Sequence, residues 1–169
     1  NQPMIHEDYV LVFNGEIYNY KTIKAELLEL GETFSTQGDS EVLLVGYKRW
    51  GKNLVAKLNG MFAFSIYDKK NKEIFSARDR LGVKPFYYSW DKGLFEICSQ
   101  IKPLSEGKTI DQEAIEIYLQ TCYVPSPWSI YKEVRKLKPG FIMTMKLDSQ
   151  EIEFEQYWEL QTPQQSTLS

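Results

Sequence analysis

The sequence predicts an α+β fold in which antiparallel strand pairs are covered by outer helices. Its 169 residues fit one domain that can bury a sizeable core. Apolar residues make up 43% and aromatic residues 14% of the chain, which argues for a packed globule and against disorder. The almost continuously apolar run 62–66 has the pattern of a strand that needs a packed layer on each side.

The first third of the chain predicts one strand followed by helices. Residues 9–13 form an apolar run with almost no polar interruption, which is typical of a buried strand. Residues 19–30 carry an apolar stripe at helical spacing, made of Ile23, Leu27 and Leu30. Gly31 follows directly, and a glycine can end a helix in the left-handed conformation.

Three further helices are expected. Asp39 or Ser40 suits the N-cap of the second helix, and Gly51 is its natural end. Residues 52–58 favour a short third helix. Asp111 is expected to cap a fourth helix. Its apolar face would comprise Ile115, Tyr118, Leu119 and Cys122.

From Gly60 onward the periodicity changes to that of strands. A turn at Asp91-Lys92-Gly93 and a polar break near residue 149 predict hairpins. The expected strands are 61–67, 73–77, 86–90, 94–99, 140–147 and 151–156. Antiparallel hairpins with outer helices fit the α+β class.

Charge and composition exclude several classes of function. The net charge is −3, and positive and negative residues are interspersed along the chain. The sequence therefore shows no basic face of the kind that binds nucleic acid or a membrane surface. The two cysteines, Cys98 and Cys122, are interpreted as buried free thiols in a reducing cytoplasm. With His6 as its single histidine, expected in a surface loop, the chain offers no His/Cys set for a metal.

The cluster Asn14-Gly15-Glu16 carries the strongest chemical signal. It follows the first strand, and we expect it in a tight turn at the end of that strand. Such a turn offers an amide donor, a close backbone N–H and a carboxylate in one small volume. These groups can hold a developing oxyanion and a substrate ammonium. The alternative is that Asn-Gly is only a turn dipeptide.

Further motifs follow in order along the chain: FNGEIYN (13–19), GDSE (38–41), ARDRLGVKPFYY (77–88), KLKPG (136–140) and YW (157–158). Together they resemble the glutaminase domain of glutamine-hydrolysing asparagine synthetases, a class II glutamine amidotransferase domain. The resemblance covers residues 1–160 and implies a four-layer αββα N-terminal-nucleophile hydrolase fold, incomplete at the front edge. Residues 161–169 would be a polar tail or the start of a linker.

The resemblance also implies roles for individual residues. Asn14 and Gly15 would donate to the oxyanion, while Glu16 and Asp39 would bind the α-ammonium group of glutamine. For Asp39 the alternative of a plain helix cap is equally open. The nucleophile in this family is an N-terminal cysteine, whereas residue 1 here is asparagine. We therefore expect the chain as given to lack that cysteine and its carboxylate-binding arginine, and to be inactive alone.

The implied activity is the supply of ammonia from glutamine for ATP-dependent amidation of aspartate to asparagine. This domain would need no cofactor, whereas ATP and Mg²⁺ would bind a C-terminal synthetase domain. A homodimer is compatible with the sequence. Two alternatives stay open: the glutaminase domain of a related amidotransferase in antibiotic or surface-polysaccharide biosynthesis, and a non-catalytic pseudo-glutaminase binding module.

The charged cluster Arg78-Asp79-Arg80 with Lys84 has two interpretations. The first is a loop near a domain interface that shapes the route of ammonia. The second, which we favour, is a buried salt-bridge network that fixes a connection between strands.

Overall fold

Strands of two antiparallel sheets form the centre of the computed structural model, which describes residues 2–91 and 93–160. The six-stranded sheet has the order β1-β2-β3-β4-β8-β9, and the three-stranded sheet has the order β6-β5-β7. The bounds are β1 Met4–His6, β2 Tyr9–Ile17, β3 Gly60–Asp68, β4 Glu73–Arg78, β5 Tyr87–Asp91, β6 Leu94–Cys98, β7 Val134–Lys136, β8 Phe141–Lys146 and β9 Glu151–Gln156.

Four α-helices accompany these strands in the described part of the chain: α1 Tyr20–Glu29, α2 Asp39–Trp50, α3 Leu54–Lys57 and α4 Gln112–Thr121. A 3₁₀ turn, Gly51–Asn53, joins α2 to α3, and a second one spans Lys102–Leu104. Among these described residues, no helix has both the length and the apolarity needed to span a membrane.

Two apolar clusters separate the layers. The larger lies between one face of the six-stranded sheet and α1 to α3, and joins strand residues such as Phe64 to helix residues such as Leu43. The smaller, built on Ala63, Phe86, Leu137 and Met143, lies between the two sheets. Helix α4 lies against the other face of the small sheet, where Tyr118 lines a cavity with Tyr87 and Lys136. The layers therefore run helix, sheet, sheet, helix, as the family resemblance implied.

Local signals placed most of these elements correctly. Helix α1 ends before Gly31, whose φ of 87° is left-handed, and α2 ends at Gly51, whose φ is 57°. The side chain of Asp111 accepts from the backbone N–H of Glu113 and caps α4. The expected hairpins also form, although Lys92 in the first turn lies outside the described residues.

Four local expectations were wrong. His6 belongs to strand β1 and not to a loop, because β1 pairs with the start of β2. Leu30 is exposed, since it follows the last residue of α1. Cys122 is exposed at the left-handed end of α4, so only Cys98 is partly buried as a free thiol. The apolar face of α4 is also largely exposed: Leu119 is 75% exposed, because α4 packs only through the side that contains Ala114.

The loop between β4 and β5 is held by Asp79. Its carboxylate is buried and accepts backbone N–H groups from Leu81, Val83, Lys84 and, across the strand end, Phe62. The N···O distances run from 2.9 to 3.2 Å. One side chain therefore ties the loop to the first residues of β3.

The neighbouring Arg78 binds backbone oxygens rather than a carboxylate. Its guanidinium donates to the carbonyls of Leu137 (2.6 Å), Lys84 (2.8 Å) and Gly82 (2.9 Å). Burial lowers the pKa of Arg78, while the nearby charge of Asp79 acts in the opposite direction. The cluster does fix a connection between strands, as the second interpretation expected. It does so through hydrogen bonds to the backbone and not through the expected salt bridges.

A second buried carboxylate fixes the segment that enters α2. Glu41 is 2% exposed, and it accepts from the backbone N–H of Ser35 at 2.7 Å and from both the N–H and hydroxyl of Thr36 at 2.6 Å. Burial raises the pKa of this carboxyl, but the hydrogen bonds outweigh burial and hold it below its ordinary value.

The outer strand of the large sheet, β9, alternates acidic and apolar residues. Glu153 pairs with Lys146 on the adjacent strand, and Glu155 pairs with Lys52, each at 2.6 Å. On the other face Phe154 lies 5.9 Å from Tyr88 of the small sheet, measured between ring centroids. The sheet therefore ends in a strand that bears charge on one side.

We expect Asp79→Asn to lower the free energy of unfolding by about 2–4 kcal/mol, because an amide NH₂ would face backbone donors that need an acceptor. Urea unfolding measures this change. Asp148→Asn, which makes the same chemical change at a side chain that is 75% exposed, is the control and should change stability by under about 0.5 kcal/mol. Equal effects of the two variants would contradict the anchoring role of Asp79.

Glu41→Gln should destabilise the protein at pH 7 by about 1–3 kcal/mol, because one hydrogen-bond acceptor becomes a donor. A lowered folded-state pKa stabilises the fold above the unfolded value and loses that contribution as the pH falls through the folded value. The deficit of the variant should therefore shrink in acid, below about pH 4. Thermal unfolding from pH 7 to pH 3 tests this, with the exposed α1 variant Glu29→Gln as control. A deficit that is independent of pH would refute it.

Candidate functional site

Asn14, Gly15 and Glu16 lie within strand β2 and not in a turn after it. Strand β2 pairs with β3 over nine residues, with Asn14 opposite Ala63, Gly15 opposite Phe62 and Glu16 opposite Met61. The expected turn was wrong because the strand continues past the Asn-Gly pair to Ile17. The cluster nevertheless lies at the end of the strand, as the chemistry required.

Glycine is required at this point by a close contact between strands. Gly15 has φ of 149°, and a Cβ placed on it would lie 2.1 Å from the carbonyl oxygen of Met61. Gly60, opposite Ile17, is under the same constraint, since its Cβ would lie 2.2 Å from the carbonyl oxygen of Glu16. The two backbones therefore meet with no side chain between them.

The outer edge of β2 has three successive positions with backbone groups that point away from β3. At the first, Phe13 exchanges hydrogen bonds with the side-chain amide of Gln2. At the third, the N–H of Ile17 donates to Asp39 Oδ2 at 3.1 Å. Backbone direction alternates along an antiparallel strand, so the N–H of Gly15, between them, points to the same edge.

The opposite side of Gly15 supports this assignment. Its partner in the register, Phe62, uses its N–H and carbonyl to bind Asp79 on the far side of β3. Gly15 and Phe62 therefore form a pair without mutual hydrogen bonds, and the N–H of Gly15 has no acceptor on β3. This backbone donor faces the open edge of the sheet.

Asn14 and Glu16 project from β2 on the face that carries the inter-sheet cluster. Asn14 lines a cavity of about 350 Å³ between the sheets, together with Gln2, Ser65, Phe86 and Cys98. Glu16, two residues on along the same face, is exposed. The amide of Asn14 is thus one residue away from the backbone donor of Gly15.

Asp39 acts differently from a helix cap. It is the first residue of α2, with Gly38 at the N-cap, and its carboxylate makes no capping hydrogen bond. It reaches instead to β2 and binds the backbone next to Glu16. The alternative of a plain cap was therefore wrong. The contact brings the two carboxylates that the sequence had selected to the same end of β2.

Sequence reasoning missed two residues at this site. Gln2 was not singled out, because a glutamine near a strand carries no motif of its own, and only the contact with Phe13 reveals it. Cys98 was placed correctly in a strand, but its position in the same cavity as Asn14 depends on how the two sheets stack. No local pattern could have indicated either contact.

Similar proteins include asparagine synthetase [glutamine-hydrolyzing] 1 of Bacillus subtilis, which is 38% identical over 162 residues, or 93% of this chain and 26% of that protein. A Methanocaldococcus jannaschii protein with the provisional name asparagine synthetase [glutamine-hydrolyzing] 2 is 43% identical over 90% of this chain and 30% of its own length. The chain thus spans less than a third of the length of these relatives.

Among solved structures, the glutamine phosphoribosylpyrophosphate amidotransferase of B. subtilis has a TM-score of 0.66 and is 21% identical, covering 93% of this chain and 32% of that one. This likeness shows the N-terminal-nucleophile amidotransferase fold. A family model described as a glutamine amidotransferase domain matches residues 1–158. The chain therefore belongs to the glutamine amidotransferase domain family.

Proposed function

We propose that this chain forms the glutaminase part of an amidotransferase that takes ammonia from glutamine for ATP-dependent amidation of aspartate to asparagine. The proposal is carried by the edge of β2, where Gln2 anchors Phe13 and Asp39 anchors Ile17, and where strand alternation directs the N–H of Gly15 to the open edge between them. Relatives with the asparagine synthetase name support the acceptor.

The chemistry follows from where charge develops. Attack of a thiolate on the side-chain amide of glutamine places negative charge on the carbonyl oxygen. Asn14 and Gly15 would donate to that oxygen from a rigid strand, which costs no reorganisation during the reaction. The thioester that forms would then react with water to give glutamate, after ammonia has left.

Substrate recognition would use the two carboxylates. Glu16 and Asp39 lie at the end of β2 and can accept charge-assisted hydrogen bonds from the α-ammonium of glutamine. One oxygen of Asp39 binds Ile17, so the other can face the substrate. The carboxylate would therefore arrive already oriented.

Neither cysteine of this chain is proposed as the nucleophile. Cys122 is exposed at the end of α4, far along the chain from the site. Cys98 lines the cavity with Asn14 as a partly buried free thiol. The resemblance assigns attack to an N-terminal cysteine, whereas residue 1 of this chain is asparagine.

In the full-length gene product, Asn14→Ala should lower kcat for glutamine hydrolysis by about 10²–10³, because one oxyanion donor is lost. KM for glutamine should change much less, since this donor acts mainly in the transition state. Steady-state glutamate release measures both constants. Synthesis driven by free ammonia should continue, and Asn53→Ala, at an exposed asparagine before α3, should leave all rates unchanged.

A near-normal glutaminase kcat in Asn14→Ala would contradict the assigned role of Asn14. Wild-type protein that releases no glutamate would contradict the proposed function itself, and would favour a non-catalytic binding module. Hydrolysis of glutamine without amidation of aspartate would favour an amidotransferase with another acceptor.

Asp39→Asn should separate the two tasks of that carboxylate. The amide oxygen can still accept from Ile17, so the fold should remain near wild-type stability, while the negative charge that binds the ammonium is gone. We expect kcat/KM for glutamine to fall roughly 10–100-fold, in line with loss of a charge-assisted hydrogen bond. Asp39→Ala should lose stability as well. If Asp39→Asn hydrolyses glutamine normally, Asp39 is an anchor only.

A further inference from the structure

We propose that Gln2 is a positioning residue, whose side-chain amide holds the edge of β2 so that the N–H of Gly15 points at the oxyanion. The inference rests on the proposed glutaminase function. Gln2 lies before β1, and its side chain does what a further residue of β1 would do by its backbone. It accepts from the N–H of Phe13 at 2.8 Å and donates to the carbonyl of Phe13.

The register shows why this contact matters. Backbone pairing between β1 and β2 ends at Met4 opposite Leu11. The next position on that edge of β2 is Phe13, which the Gln2 amide closes, and the one after it is Gly15. The Gln2 side chain thus continues the β1–β2 hydrogen-bond pairing by one more pair, at Phe13, and does not reach Gly15.

The backbone positions before and after Gly15 on this edge of β2 are both anchored by side chains. Gln2 fixes Phe13, two residues before it, and Asp39 fixes Ile17, two residues after it. Behind it, β3 approaches so closely that a Cβ on Gly15 would lie 2.1 Å from the carbonyl oxygen of Met61. The positions before and after Gly15 are therefore anchored, and its own N–H points to the open edge between them.

The shape of the amide makes Gln2 specific for this task. A primary amide presents one acceptor and one donor side by side, which matches the carbonyl and N–H of a single strand residue. Methionine has a similar length but neither group. A glutamate can accept from Phe13 N–H, but its second oxygen opposes the carbonyl until it is protonated.

The test uses the full-length gene product. Gln2→Met should lower kcat for glutamine hydrolysis roughly 10–100-fold, the scale of a small misplacement of a catalytic donor. KM should change little, and ammonia-dependent synthesis should be unaffected. Amide hydrogen exchange of the peptide that contains β2 should become faster. Gln120→Met, at an exposed glutamine of α4, is the matched control and should change none of these values.

Gln2→Glu adds a readout that a merely structural role would not produce. Relative to wild type at each pH, its glutaminase kcat should recover as the pH falls from 8 to 5, because the facing carbonyl of Phe13 disfavours the ionised carboxylate and raises its pKa, and the protonated acid can donate to that carbonyl. The relative activity of Gln2→Met should stay flat over the same range.

Normal glutamine kcat in Gln2→Met, a flat relative pH profile in Gln2→Glu, or equal loss of glutamine- and ammonia-driven activity would each overturn the proposal. If wild-type protein hydrolyses no glutamine, the proposed function fails and this proposal fails with it. If the wild-type protein is active but hydrogen exchange of the β2 peptide is unchanged in Gln2→Met, the positioning role of Gln2 is refuted while the proposed function stands.

Discussion

The close approach of β2 and β3 at Gly15 and Gly60 is the constraint on which the candidate site depends. With no Cβ between the backbones, Gly15 lies directly against Phe62 in the register. This arrangement sends the polar groups of Gly15 to one side and those of Phe62 to the other. Phe62 then binds Asp79, and Gly15 faces the edge near Asp39.

A single strand pair therefore connects two of the sequence motifs. The motif that contains Asn14 and Gly15 lies on β2, and the motif that contains Asp79 binds the adjacent end of β3. The loop after β4 is held by Asp79, which binds Phe62, the residue that lies opposite Gly15. This explains physically why a turn far from Asn14 in sequence belongs to the same piece of structure.

Acidic residues in these motifs bind backbone N–H groups more than cations. Asp39, Glu41 and Asp79 all accept from the main chain of another segment. A carboxylate can lose its water without great cost when several N–H donors replace it. Each of the three fixes the position of a segment near the site, and Asp39 keeps one oxygen for a further partner.

Periodicity and end signals were enough to predict the four helices and seven of the nine described strands, since Gly51 and Asp111 act within their own helix ends, but they missed the short strands β1 and β7. They failed where a distant segment decides the conformation. Asn14-Gly15 has the composition of a turn, yet pairing with β3 keeps it extended. The candidate site residues could be proposed from the sequence, but the contact of Asp39 with Ile17 and that of Gln2 with Phe13 could not, because both contacts join segments that meet only in the folded chain.

The acidic outer strand has a consequence for how the protein behaves among copies of itself. An open strand edge can template the addition of another chain, and β9 ends the large sheet with such an edge. Glu153 and Glu155 keep their ion pairs with Lys146 and Lys52 in contact with water beside it. A second strand could add there only by partly dehydrating these pairs, so the charged side chains of β9 oppose growth of the sheet at this edge.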